Sequence, residues 1–432
     1  MTASRIASWR AIEALRAGVP NRDAVQALGL GSVQPDIEAR FRRMLGAGQK
    51  GLSPEIAPDM SLPMTADGMM VAGDFGAGKS HLLEYLQHVA LENNFVCSKV
   101  VVSKETPLYD TGKVYSSAVQ SARVPDRAGS LLNILAEKLD FESPGYQEFY
   151  RWVFRPQSPL NTRFAASVFV FERGKGGRYP EVSDRILQFW GGTRVPESEL
   201  KSWLRELGEV ASYKFDRVSV RDLTLERYEF MSRLMTAAGY AGWVILVDEV
   251  ELIGRYSLMQ RAKSYAEIAR LMGLLTDSAV PGLASVFAIT SAYQSEVMDE
   301  KQDEEKIASK LPATGKPEDL KLAKQAGMGM WKIRQVPNER MVLHEANDLQ
   351  NVYNKTRSVY SAAYRWEPPT EYETNPTWRI RQHIKRWINS WDLVRLFPEY
   401  APNIQVTPLS PSFTEDLDLE DGPDDCSNSW EG

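Results

Sequence analysis

Cysteine is almost absent from this chain. Cys97 and Cys426 are the two in 432 residues, and neither has a partner at disulfide or metal-ligand spacing. That excludes a disulfide-stapled secreted scaffold and a cysteine-built zinc site. Long apolar runs are missing as well. No stretch approaches the roughly 18 apolar residues of a membrane helix, and Met1 to Arg10 lacks the apolar core of a signal peptide. The expectation is a cytoplasmic protein without a membrane partner. What is present is ordinary for a soluble chain: hydrophobic residues make up 43% and charged residues 25%, enough for large cores in two or three structural units.

Net charge is −6, which argues against a protein that coats nucleic acid. Eight acids and no Lys or Arg fall between Glu415 and Glu431, so the rest of the chain carries +2 and has room for a local basic surface. The segment Pro408 to Gly432 is rich in Pro, Ser, Asp and Glu and reads as a disordered, solubilising tail.

One motif dominates what is there. Gly73-Asp74-Phe75-Gly76-Ala77-Gly78-Lys79-Ser80 satisfies G-x-x-x-x-G-K-[ST], follows the apolar run Met69 to Ala72 and precedes a helical pattern with Leu82, Leu83, Leu86 and Val89. A strand entering and a helix leaving such a loop aim backbone N–H groups at one point, which attracts phosphate. Lys79 is expected to reach the β- and γ-phosphates of ATP, and the Ser80 hydroxyl to join the Mg2+ shell. Further on, Trp243 to Val247 is a continuous apolar run, the signature of a strand buried on both faces of a parallel sheet. It ends in Asp248 and Glu249, at the carboxyl end where open α/β sheets bind ligands. Asp248 is the candidate Mg2+ ligand and Glu249 the group that polarises the attacking water.

The remaining pattern surrounds this core. Ile6, Trp9, Ile12 and Leu15 predict one helix, Ala24, Val25 and Leu28 a second, and Ile37 to Leu45 a third. Simple packing accounts for that arrangement better than a DNA-reading helix-turn-helix does. Phe95 to Val102 predicts the second strand, and about 106–239 reads as a helical insertion without a convincing strand. The Gly-rich basic stretch Arg173 to Arg178 is a surface loop or, less favoured, a clamp on a nucleic-acid backbone. Leu252 to Leu275 predicts one long helix, Ala284 to Ser291 a third buried strand ending in hydroxyls, and Glu296 to Gly327 a charged surface excursion. Thr290 or Ser291 is placed to sense a γ-phosphate. The last unit, Met341 to Phe397, ends in a basic amphipathic helix around Trp378 to Ile388 that puts one arginine, Arg379 or Arg381, over a bound nucleotide.

Together these features resemble an AAA+ ATPase of the origin-recognition-like branch, and within it the ATP-binding proteins of bacteriophage exclusion (BREX) systems. The segments that carry the resemblance are Ala11 to Arg22, the phosphate loop continued by His81 and Leu82, Asp248 to Ile253, and Ser264-Tyr265 to Gly273. It implies an α/β P-loop fold with a large helical insertion and a C-terminal helical lid. The corresponding division is an N-terminal helical region at 1–58, a core at 59–340, a lid at 341–400 and an acidic tail at 401–432. It also implies nucleotide contacts from Gly73 through His81, ATP hydrolysis, self-assembly, association with DNA, and defence proteins such as a helicase as partners. Arg255, Arg261, Arg270, Arg334 and Arg340 are the candidates for an arginine acting on a neighbouring subunit's nucleotide. No winged-helix pattern follows the lid, so DNA association without sequence preference is expected. A nucleotide-gated switch with negligible hydrolysis and a replication loader are the alternatives.

Overall fold

The structure, a computed structural model, describes residues 3–18, 23–24, 34–50, 68–125, 127–156, 158–174, 180–335, 341, 346–370, 375, 378–399 and 413–416. After helices α1 (Ala3–Ala17) and α2 (Pro35–Lys50), the chain enters β1 (Met69–Ala72) and leaves it through the glycine loop into α3 (Lys79–Glu92). Asn94 turns the chain in the left-handed region, φ +62°, and feeds β2 (Val96–Val101). The last two strands are β3 (Trp243–Asp248) and β4 (Leu283–Ile289), and all four pair in parallel in the order β1-β4-β3-β2. This is the α/β fold with a parallel P-loop sheet that the sequence predicts.

Strand alternation explains the layers. Met69 and Val71 of β1, with Val244 and Leu246 of β3 and Val286 and Ala288 of β4, face α2 and α3 and pack on Phe41, Leu82 and Leu86. Met70 and Ala72, with Ile245, Val247, Phe287 and Ile289, face the opposite way into a larger core. Both faces are covered, which is why β3 reads as an unbroken apolar run.

The insertion supplies that second cover with α4 (Thr111–Gln120), α5 (Leu131–Lys138), α6 (Pro144–Val153), α7 (Thr162–Gly174), α8 (Pro180–Trp190), α9 (Glu197–Glu206) and α10 (Val220–Ala237). Asp110, Ser143 and Ser219 cap three of these helices, each side chain accepting from a backbone N–H in the first turn. Rings of Phe149, Phe164, Trp190 and Phe230 form its centre. Tyr228 stacks on Trp243 of the sheet at 5.8 Å between centroids, so the insertion and the sheet share one core.

Two expectations need correction. The helix predicted over Leu252 to Leu275 is broken into a 3-10 turn (Val250–Arg255) and α11 (Leu258–Leu271). Ser257 starts α11 with a capping box to Gln260, and this local stop overrides the apolar periodicity. Nor is Glu296 to Gly327 a surface excursion. After a π-helical turn (Gln294–Asp299) come α12 (Asp303–Lys310) and α13 (Pro317–Arg334), and α13 buries Leu322, Ala326, Met330 and Ile333 along one stripe against α11. Gly329 permits the approach, since a Cβ there would lie 2.0 Å from the Tyr265 carbonyl oxygen. The charged residues of this segment are the outer face of packed helices.

The C-terminal unit comprises α14 (Ala346–Tyr364) and α15 (Ile380–Leu396). Ile12 and Leu15 of α1 pack with Tyr353, Tyr360, Trp387 and Trp391 in a third core, and Arg16 pairs with Asp392 at 2.8 Å. Thus α1 joins the lid, whereas α2 joins the sheet. Within the acidic tail, Phe413 packs on the main core and Glu415 pairs with Arg261 at 2.8 Å. Residues 175–179 of the Gly-rich basic stretch, Val25 and Leu28 of the second predicted helix, Arg340 and residues 417–432 lie outside the described residues. Among the described residues no helix is long and apolar enough to cross a membrane.

Candidate functional site

The glycine loop is shaped by two left-handed residues, Gly76 at φ +81° and Gly78 at φ +99°. Only glycine takes that conformation without strain, and it turns successive loop N–H groups toward one side. α3 then begins at Lys79 with no side chain capping its first turn, so its positive end faces the same side. Lys79 bends back: Nζ donates to Gly73 O at 3.0 Å and lies 3.2 Å from Glu251 Oε1.

The sheet brings the acids to this loop. Register places Ala72 beside Ile289 and Val247 beside Phe287, so the loop, the end of β4 and the end of β3 lie side by side, with β4 between the other two. Asp248 is buried; its Oδ1 accepts from the Glu249 N–H at 3.0 Å, and its Oδ2 lies 3.7 Å from Lys99 Nζ. Glu249 adopts φ +57°, a left-handed conformation uncommon for a side-chain-bearing residue and frequent at functional sites. Its carboxyl is pushed above the ordinary range by burial and then by the negative charges of Glu251 and Asp248, against the pull of Lys79 and Arg381.

A cleft of about 700 Å3, open to solvent, joins these parts. Phe75, Gly76, Gly78, Lys79, Ser80 and His81 form its floor, and Glu249 and Glu251 one wall. Ile380, Arg381 and Ile384 of α15 with Ala14 and Leu15 of α1 and Gly18 just after it close it from above. Arg381 lies over the Phe75 ring at 5.9 Å and donates to the Gly18 carbonyl. Arg379 forms an ion pair with Asp74. His81 is buried, its Nε2 makes no hydrogen bond, and burial followed by the Lys99 charge lowers its pKa to about 4, so the ring is neutral at pH 7.

Most residues selected from the sequence therefore converge, and three placements differ from expectation. Ser291, rather than Thr290, meets the loop: its hydroxyl donates to Asp74, while Thr290 is buried one residue earlier and does not line the cleft. Asp248 sits behind Glu249 instead of on the cleft wall. Among the candidate trans-acting arginines, Arg261 is buried against Asp303 and Arg270 against Glu267, and Arg334 is held by Glu304 and Asp299. The buried pairs hold their guanidiniums inside the subunit. Arg255, half-buried, ends the 3-10 turn.

Glu251 and the α1 contribution went unread. A single acid inside Val250-Glu251-Leu252-Ile253 is the one local sign that Glu251 is buried for a purpose.

A family model described as BREX system ATP-binding protein BrxC/D matches residues 56–139 and 217–316, which include the glycine loop, the Asp248-Glu249 pair and β4. Over these segments the chain is similar to a BREX system ATP-binding protein. The two matched segments flank residues 140–216, which carry α6, α7, α8 and α9. No curated protein and no solved structure matches the chain.

The cleft fits ATP on its own chemistry. Its floor offers a lysine and the uncapped start of α3 to anionic oxygens, and apolar Leu15, Ile380 and Ile384 line its roof.

Proposed function

We propose that the protein hydrolyses ATP with Mg2+ at this cleft, as a DNA-associated component of a BREX defence assembly. The observation that carries the reading is the convergence of the glycine loop, Lys79 and a half-buried Glu249 of raised pKa in one cleft beneath α15. The loop N–H groups and Lys79 would bind the β- and γ-phosphates, and Lys79 would neutralise charge that builds on them during transfer. Ser80 would supply an oxygen ligand to Mg2+ directly, and Asp248, set back from the cleft, would reach it through water. When bound, Mg2+ supplies charge neutralisation and orientation of the phosphates. Glu249 would accept the proton of the attacking water, and its raised pKa strengthens it as a base near neutral pH.

Arg381 couples the lid to the nucleotide in this reading, because it hangs from α15 over the loop. Self-assembly, DNA and a partner helicase rest on the family resemblance. With Arg261 and Arg270 buried, Arg255, Arg334 and Arg340 remain the candidates for action on a neighbour's nucleotide.

ATP binding and steady-state hydrolysis by wild type, Lys79→Ala and Glu249→Gln, with and without duplex DNA, form the test. Lys79→Ala is expected to lose binding. Glu249→Gln is expected to bind ATP while turnover falls by roughly 100-fold or more. Undiminished turnover in Glu249→Gln would remove that residue from the reaction. Tight binding without turnover in wild type would favour the second reading, an ATP-gated switch, which the Lys79–Glu251 pair at 3.2 Å also suits.

A further inference from the structure

Glu251 is the one acid in contact with the loop lysine, and its setting is unusual. Both partners are more than nine-tenths buried, and Oε1 lies 3.2 Å from Lys79 Nζ. Oε2 is also buried and has no hydrogen-bond partner among the described residues, where Lys79 is the cation in contact with this carboxylate. A buried ion stripped of its partner is costly, because its hydration is not restored inside the protein. Lys79 is also the group that a β- or γ-phosphate would claim, and Glu251 lines the same cleft.

We infer that Glu251 is a positioning residue that holds Lys79 folded onto the Gly73 carbonyl and gives it up when a nucleoside di- or triphosphate takes the ammonium. The inference rests on ATP binding at this cleft. Exchange of partners opposes binding twice: it strands a carboxylate in a buried place, and it sets that carboxylate near incoming phosphate of the same sign. Glu251 thereby sets a threshold for nucleotide concentration and weights it toward ligands that reach Lys79. AMP, which lacks a β-phosphate, leaves the pair intact.

The test measures ATP, ADP and AMP affinities with Mg2+ by calorimetry for wild type and Glu251→Gln, which keeps the shape and removes the charge. ATP and ADP are expected to bind roughly tenfold tighter to the variant, a gain of about 1.4 kcal/mol, with AMP unchanged. A merely structural Glu251 would not produce a gain selective for di- and triphosphate. If melting without nucleotide shows Glu251→Gln unfolded, Glu251→Asp carries the test, since one methylene less weakens the pair and should tighten ATP binding in the same direction. Unchanged or weaker ATP binding by a folded variant, or an equal change for AMP, overturns the inference alone. A wild type that binds none of the three nucleotides overturns the site reading and this inference together.

Discussion

Arg379, at the N-terminal end of α15, forms an ion pair with Asp74 in the glycine loop, and the second Asp74 oxygen accepts from Ser291 at the end of β4. One carboxylate thus ties the lid, the loop and the sheet. Both members of the ion pair are part-exposed, so their contribution to global stability is small. Their effect belongs to the placement of the lid.

Arg379→Ala and Asp74→Asn are expected to leave the melting temperature nearly unchanged and to lower ATP-dependent hydrogen-exchange protection of α15 equally. The double variant should be no worse than either single one, because one interaction is removed in all three. Additive losses would mean that the two residues act separately.

Gly78→Ala tests the loop geometry. A Cβ there meets Ile380 Cγ2 at 3.7 Å, an ordinary contact, so the cost comes from φ +99° and not from crowding. The left-handed penalty is about 1–2 kcal/mol. The variant should remain folded by circular dichroism and bind fluorescent ATP at least roughly tenfold more weakly; wild-type affinity would show that the loop N–H groups are not the phosphate ligands.

Glu226, in α10, offers a pH test remote from the cleft. Burial raises its carboxyl to about 7, with the Asp222 charge adding and the Asn161 N–H, at 2.5 Å, opposing. The folded state therefore holds a proton more tightly than the unfolded chain, whose ordinary value is 4.5. Stability from this proton is complete below that value and is lost as pH rises through about 7. Urea melts should show wild type losing on the order of 2 kcal/mol relative to Glu226→Gln between pH 5 and pH 8, after discounting for partial exposure. Parallel pH profiles would exclude Glu226 as the source.

The halves of the candidate site differed in how openly they were written. The loop half is local. Glycines at left-handed positions, a lysine at the start of a helix and acids at the end of an apolar strand are each set by neighbours within a few residues, and each stands where the pattern predicts. The other half depends on distant packing. Gly18 meets Arg381, 363 residues away, through amphipathic stripes that would suit many partners, so nothing in α1 names the lid as its neighbour. Thr290 and Ser291 show the same limit at short range. Adjacent hydroxyls are equivalent in a strand-end pattern until β4 is placed against the loop, and then only Ser291 meets Asp74. α13 was obscured because its buried stripe of Leu322, Ala326, Met330 and Ile333 is diluted by lysines and acids on the other face.

Arg16 and the Asp392 it pairs with lie 376 positions apart in the sequence. During synthesis from the N-terminus, α1 emerges well before the lid, and Ile12 and Leu15 lack these partners until Trp387 and Trp391 have left the ribosome. The sheet can assemble once β4 is made, but the roof of the cleft cannot. A truncated or stalled chain would carry the glycine loop without its cover, and competence to retain nucleotide would report that translation had reached the end of α15.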